Sequence, residues 1–181
     1  MNLRALRAVR KEREKFVRLG HFKCIIRELG NVDLSFENIR KVMVVADGSE
    51  CGRRAAEYCI SIAKLVDAQI TVVYVVDEVV LDIVSKGTKR EEAELELRRE
   101  GQRCIDYVLE LAKKEGIDEG SLLAKLAQGR PYEQIVHAAK QLKIDLIVIG
   151  ASAERRGEGV LLGSVAGRVI QYASCPVLVV R

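Results

Sequence analysis

The chain has no tryptophan, three phenylalanines and five tyrosines in 181 residues, so its core has to be built from aliphatic side chains. Such a core, rich in Val, Ile, Leu and Ala, suits the continuously apolar strands of a parallel sheet. No apolar run approaches the roughly 18 residues that cross a bilayer. The first residues are charged and interrupted, with neither the apolar centre nor the small-residue cleavage site of a secretory signal. The expected compartment is the cytoplasm. Five cysteines (Cys24, Cys51, Cys59, Cys104, Cys175) include no Cys-x-x-Cys pair, which argues against a zinc or redox motif. They are expected as reduced, mostly buried thiols. The two histidines, His21 and His137, lie far apart in sequence. No Ser or Cys nucleophile with a His and a carboxylate suggests itself, and two histidines with scattered cysteines do not make a rich metal site. Internal repeats and low-complexity tracts are absent as well.

What is present is long enough for one well-buried domain plus an appendage. The net charge of +4 is unevenly spread: residues 1–30 hold nine Lys and Arg against three Glu, while the remainder holds 21 basic against 23 acidic residues. The basicity therefore belongs to an extension, residues 1–39, ahead of a domain at residues 40–181. Within the extension Leu3, Leu6, Val9, Phe16, Val17, Leu19, Phe22, Ile25, Ile26 and Leu29 fall among the basic residues at spacings mostly compatible with helix. Two roles are open for it. One is a helix docked on its own domain or on a partner subunit. The other is a basic amphipathic arm for nucleic acid or an anionic membrane surface.

From Arg40 onward strand and helix signals alternate in the βαβ manner. Strands are predicted at Val42–Ala46, Gln69–Val76, Leu122–Ala127, Asp145–Ile149 and Val177–Arg181. Helices are predicted at Arg53–Val66, Arg90–Glu115, Tyr132–Leu142 and Ser164–Ala173, with Pro131 suited to the first position of the third. Gly101 inside the long second helix costs about 1 kcal/mol relative to Ala, and residues 79–89 carry no clear pattern. The fold class is α/β: a Rossmann-like, doubly wound, five-stranded parallel sheet with right-handed crossovers and an N-terminal helical extension.

In such sheets ligands sit at the carboxyl ends of the strands. Asp47, Val75 and Gly150 all fall there. Gly150-Ala151-Ser152-Ala153 ends a strand, and nine residues after Ala153 the pair Gly163-Ser164 opens a helix. A flexible turn beside the unpaired N–H groups of a helix N-terminus favours anions, which points to a nucleotide. Arg155 and Arg156 lie inside the intervening loop, either as phosphate partners or as solvated charges. Asp47 alone reads equally as a turn or cap residue, and Ser164 as an N-cap.

These residues resemble the universal stress protein family. Its ATP-binding members carry Gly-x-x-Gly, nine residues, then Gly-Ser or Gly-Thr; this chain has the same spacing with Ala153 in place of the second glycine. The similarity runs from about residue 40 to residue 181, through Val44-Val45-Ala46-Asp47-Gly48-Ser49, Tyr74-Val75-Val76-Asp77, Asp145–Gly150 and Ser174–Val180. The resemblance implies an adenine nucleotide-binding protein of the adenine nucleotide alpha-hydrolase-like fold, taking ATP, ADP or AMP, with Mg²⁺ or Mn²⁺ bridging the phosphates. It places Asp47 at the adenine edge, Val75 in backbone contact with the base and Gly150 against the ribose. Ala153, Gly163, Ser164 and Val165 then surround the phosphates. If Ala153 needs a positive φ, its Cβ costs on the order of 1 kcal/mol. The resemblance further implies a homodimer formed through the edge strand 177–180, acting as a stress-response switch with at most slow ATP hydrolysis. The alternatives are a structural or signalling dimer that binds no nucleotide, and an ATP pyrophosphatase. Ala46-Asp47-Gly48-Ser49 is not the glycine- and serine-rich phosphate loop that the pyrophosphatase requires.

Overall fold

The computed structural model describes residues 38–87, 89–151 and 162–181 in full, and residues 14–19 and 22–27 along the backbone. Its centre is a parallel sheet of β3 (Lys41–Val45), β4 (Gln69–Asp77), β5 (Leu122–Gly129), β6 (Leu146–Gly150) and β7 (Val177–Val180). The helices are α1 (Glu50–Val66), α2 (Glu78–Val84), α3 (Arg90–Lys114), α4 (Pro131–Leu142) and α5 (Ser164–Tyr172), with a 3₁₀ turn at Glu119–Ser121. The five expected strands and four expected helices are all present. In addition, α2 occupies much of the stretch that had no clear sequence pattern.

The core follows from the two-residue period of the strands. On β3, Val42 and Val44 face one layer, where they meet Ala55, Cys59 and Ile60 of α1 and Ile105 and Val108 of α3. Met43 and Val45 face the other, against Ile135 and Ala138 of α4 and Ala166 and Val169 of α5. Both faces of the sheet are covered, which is why the strands read as unbroken apolar runs. Gly101 has a packing reason. A Cβ there would lie 2.5 Å from the Tyr74 ring and 2.9 Å from Leu126, so its absence lets α3 seat on β4.

Residues 14–19 and 22–27 correct the expectation of a helical extension. β1 (Glu14–Leu19) and β2 (Phe22–Arg27) form an antiparallel pair that begins at Leu19 opposite Phe22. β2 in turn pairs antiparallel with β7, placing Ile25 opposite Val179, Ile26 opposite Leu178 and Arg27 opposite Val177. The seven-stranded order is β1-β2-β7-β6-β3-β4-β5. β7 is therefore not the free edge that its place at the end of the parallel set suggested. The backbone explains the outcome: β7 offers a row of N–H and C=O groups that a two-stranded ribbon satisfies and a helix does not.

Among the four cysteines described in full, Cys59 and Cys175 are buried, while Cys51 and Cys104 are only partly so. Burial pushes the Cys59 thiol well above its usual range and lifts Cys175 to about 11. Among the described residues no helix is long and apolar enough to cross a membrane.

Candidate functional site

Strand order reverses around β3, which pairs with β4 on one side and with β6 on the other. The two loops leaving β3 and β6 then diverge to opposite layers and open a crevice at the carboxyl ends. It encloses about 270 Å³ and is lined by Val45, Ala46, Asp47, Tyr74, Val75, Pro131, Ile135, Ile149, Gly150, Ser164, Val165 and Ala166. Of the residues singled out in the sequence, Asp47, Val75, Gly150, Ser164 and Val165 thus share one wall-to-wall space. Gly163 adjoins it as the residue before α5. Ala153, with Arg155 and Arg156, lies outside the described residues.

Asp47 is exposed at the lip of the crevice. Its Oδ1 accepts the Ser49 N–H at 3.0 Å and the Ser49 hydroxyl at 2.7 Å, and Ser49 Oγ accepts the Gly52 N–H at 2.9 Å as the cap of α1. The turn role of Asp47 is therefore real, while the cap role falls to Ser49, and the turn holds the carboxylate in place with Oδ1 committed to Ser49. Gly48 makes the turn with φ +73°. Gly52, which sequence reasoning passed over, is required by the same arrangement, because a Cβ there would overlap Asp47 Oδ1.

Val75 is informative through its backbone. The last β3–β4 pair is Val45 with Val73, and the Ala46 N–H donates to the Val73 carbonyl at 2.9 Å. A strand residue directs its N–H and C=O to the same side and its successor directs them to the other, so Val75 presents both groups on the Val73 side. β3 has already turned away at Asp47. One donor and one acceptor, two atoms of recognition, are left facing the crevice beside an anchored carboxylate.

Gly150 has a structural duty alongside its place in the crevice wall. A Cβ there would stand 2.7 Å from the carbonyl carbon of Cys51 and 2.7 Å from the Gly52 nitrogen, so only glycine lets β6 end against the first turn of α1. Opposite, Gly163 and not Ser164 is the N-cap of α5, which has no side-chain cap, and Ser164 is its first helical residue, correcting the N-cap reading of Ser164. The first helical bond runs from the Gly167 N–H to the Gly163 carbonyl at 2.9 Å. The N–H groups of Ser164, Val165 and Ala166 consequently have no partner within the helix, and all three residues line the crevice. Free amides and the positive end of the helix dipole favour an anion there.

Tyr74, Pro131 and Ile135 were missed in the sequence. Pro131 was visible as a helix start, but nothing local says that α4 enters beside the crevice. Burial, then the negative charges of Glu100, Cys104 and Asp47, push the Tyr74 hydroxyl up to about 12, so it stays protonated. Among the described residues no cluster of three or more His, Cys, Asp or Glu is placed to hold a metal ion.

Comparison with known proteins agrees with this architecture. The model of the universal stress protein family matches residues 38–181. The chain belongs to the universal stress protein family. A universal stress protein of Methanocaldococcus jannaschii, MJ0531, is 37% identical over 155 residues, covering 84% of this chain and 89% of that protein. YxiE of Bacillus subtilis is 29% identical, covering 78% of this chain and 98% of its own length. Among solved structures, MJ0577 superposes with a TM-score of 0.66 at 25% identity, covering 78% of this chain and 94% of that one. A universal stress protein in complex with cAMP superposes at 0.58 with 22% identity, covering 79% of this chain and 97% of that one.

Proposed function

We propose that this universal stress protein binds an adenine nucleotide, ATP or a close relative, in the crevice at the ends of β3, β4 and β6, and serves as a cytoplasmic stress-response switch rather than an enzyme. The observation that carries this reading is the pairing of two unlike ends in one space. The open N–H and C=O of Val75 beside Asp47 suit the hydrogen-bonding edge of a purine. The uncapped start of α5 at Ser164 and Val165 suits phosphate. Ile149, Ile135 and Pro131 supply apolar wall between them, and Gly150 leaves room at the ribose. A relative of the same fold solved with cAMP supports the class of ligand.

Binding without turnover follows from how Asp47 is used. Its Oδ1 already accepts two hydrogen bonds from Ser49, and it sits beside Val75, at the base end of the ligand rather than the phosphate end. Ser164 Oγ together with phosphate oxygens would be the donors for Mg²⁺ or Mn²⁺, so such an ion would enter with the nucleotide. A homodimer through residues 177–180 requires β2 to leave β7, because the two partners use the same backbone edge. Calorimetric titration with adenosine, AMP and ATP tests the reading. Binding of adenosine is expected, and no heat with any of the three at millimolar ligand refutes it. Ala153→Gly, at the position where the family pattern has glycine, is expected to tighten ATP more than adenosine.

A further inference from the structure

The crevice does not end at α5. A second cavity of about 230 Å³ opens beside it and shares Pro131, Ser164 and Val165 with it; its far wall carries Arg130 and Arg168. Building on the adenine-nucleotide reading, we infer that Arg130 and Arg168 receive phosphates beyond the first, so that the site selects adenosine di- and triphosphate over the monophosphate.

The two arginines are placed for this role. Arg168 follows Ser164 by four residues on α5, so the two lie on one face, about 6 Å apart along the axis. A phosphate held by the free amides of Ser164 and Val165 therefore has the next position along the helix occupied by a guanidinium. That separation is within the reach of a di- or triphosphate chain, whereas a monophosphate ends at the shared wall.

Both guanidinium groups are also preorganised. The Arg168 guanidinium carbon stands 4.8 Å from the centroid of the Tyr132 ring, which itself packs against Tyr172 at 5.8 Å. The aromatic face orients the fork, and among the described residues no carboxylate pairs with it. Arg130 lies between Gly129, at φ +136°, and Pro131, which fix the chain as it enters α4. Among the described residues its ion pair is with Glu133 at 3.5 Å, exposed on both sides and weak. Phosphate oxygens offer both guanidinium groups a better acceptor.

One acidic group faces them from the same cavity, Asp77 at the end of β4. Its Oδ1 accepts the Val79 N–H at 2.9 Å and caps α2, so among the described residues the two cations meet two carboxylates, Asp77, already in use, and Glu133, in its weak exposed pair with Arg130.

The test compares adenosine, AMP, ADP and ATP by calorimetry at fixed ionic strength on the full chain and on the variants Arg168→Gln, Arg168→Lys and Arg130→Gln. In the parent, ATP is expected to bind about tenfold or more tighter than AMP, the worth of one charge-assisted hydrogen bond. Arg168→Gln should lose most of that ratio with adenosine affinity unchanged, Arg168→Lys should keep part of it, and Arg130→Gln should reduce it. Arg130→Gln leaves the Tyr132 stack intact and so decides the matter if Arg168→Gln unfolds. An ATP-to-AMP ratio that is the same in parent and variants, with adenosine still bound, overturns the arginine subsite alone. Failure of adenosine to bind the parent overturns the nucleotide site as well.

Discussion

Gly101→Ala should go against the rule for helix interiors. In an unpacked helix the change from Gly to Ala stabilises by about 1 kcal/mol. Here the new methyl would stand 2.5 and 2.7 Å from two carbons of the Tyr74 ring and 2.9 Å from Leu126, inside contact distance on two sides. Overpacking of this kind costs about 1–3 kcal/mol. The propensity gain offsets the lower end of that range, so the net effect is a loss of about 0–2 kcal/mol. For a domain of this size that lowers the melting temperature by up to about 8 °C. Tyr74 lines the crevice, so displacing its ring should lower adenosine affinity in parallel. A thermal melt and a titration on Gly101→Ala, Tyr74→Ala and the double variant close the cycle. In the Tyr74→Ala background the methyl meets only the end of the Leu126 side chain, which can move into the vacated space, and Gly101→Ala should raise the melting temperature. A clear rise in the parent background would refute the seating of α3 on β4 through this glycine.

Gly150→Ala should be harder to absorb, because its Cβ meets the backbone of Cys51 and Gly52 rather than a side chain; a loss of about 1–3 kcal/mol with weakened nucleotide binding is expected, measured by chemical denaturation and calorimetry. Stability should fall at alkaline pH: the folded state keeps the Cys175 thiol protonated to about 11 and the Tyr74 hydroxyl to about 12, against ordinary values of 9.0 and 10.0. The unfolded chain releases those protons first, so the contribution is fully present below pH 9 and is lost as pH rises through 9–12. Denaturation midpoints at pH 8, 9.5 and 10.5 check the sign, and Cys175→Ala should flatten the first part of the decline. Ile26→Pro removes a backbone N–H from β2, a strand paired on both sides, and should release β7. Sedimentation is then expected to show concentration-dependent pairing absent from the parent, and identical behaviour would argue that β2 does not guard that edge.

The parallel sheet was legible because both its faces are buried, so that Val42–Ala46, Gln69–Val76 and Asp145–Ile149 read as apolar runs between turn residues. The crevice was legible in outline for a topological reason: Asp47, Val75 and Gly150 each sit where a parallel strand ends. What sequence could not show depends on contacts set by other segments. Gly101 looked like a defect in a helix until Tyr74 lay over it. The open backbone of Val75 exists only because β3 stops two residues short of it, and no local pattern reports where a neighbouring strand ends. The hairpin was misread because scattered basic residues weakened the alternation in Glu14–Leu19 and Phe22–Arg27, and the apolar spacing also fitted a helix. The available signal was Gly20 standing in the sequence between two short runs, one holding Val17 and the other Ile25 and Ile26.

The sheet also links the outer edge to the crevice through one row of residues. Ile25 of β2 stands opposite Val179 of β7, which pairs with Ile149 of β6, and Ile149 lines the crevice. A continuous row of three residues thus joins the extension to the site. That row is stiff at its inner end: β6 is buried along its length and held by β3 on one side and β7 on the other. Gly150 is further locked against α1 by a contact too close for any Cβ. Loss of β2 removes one partner from β7 and none from β6. Exchange at the outer edge should therefore change which chain sits beside β7 while leaving the adenine end of the crevice in register. The phosphate end is different, because α5 leads directly into β7 through residues 173–176. Any coupling between association and ligand should accordingly appear in the affinity for phosphate rather than for adenosine.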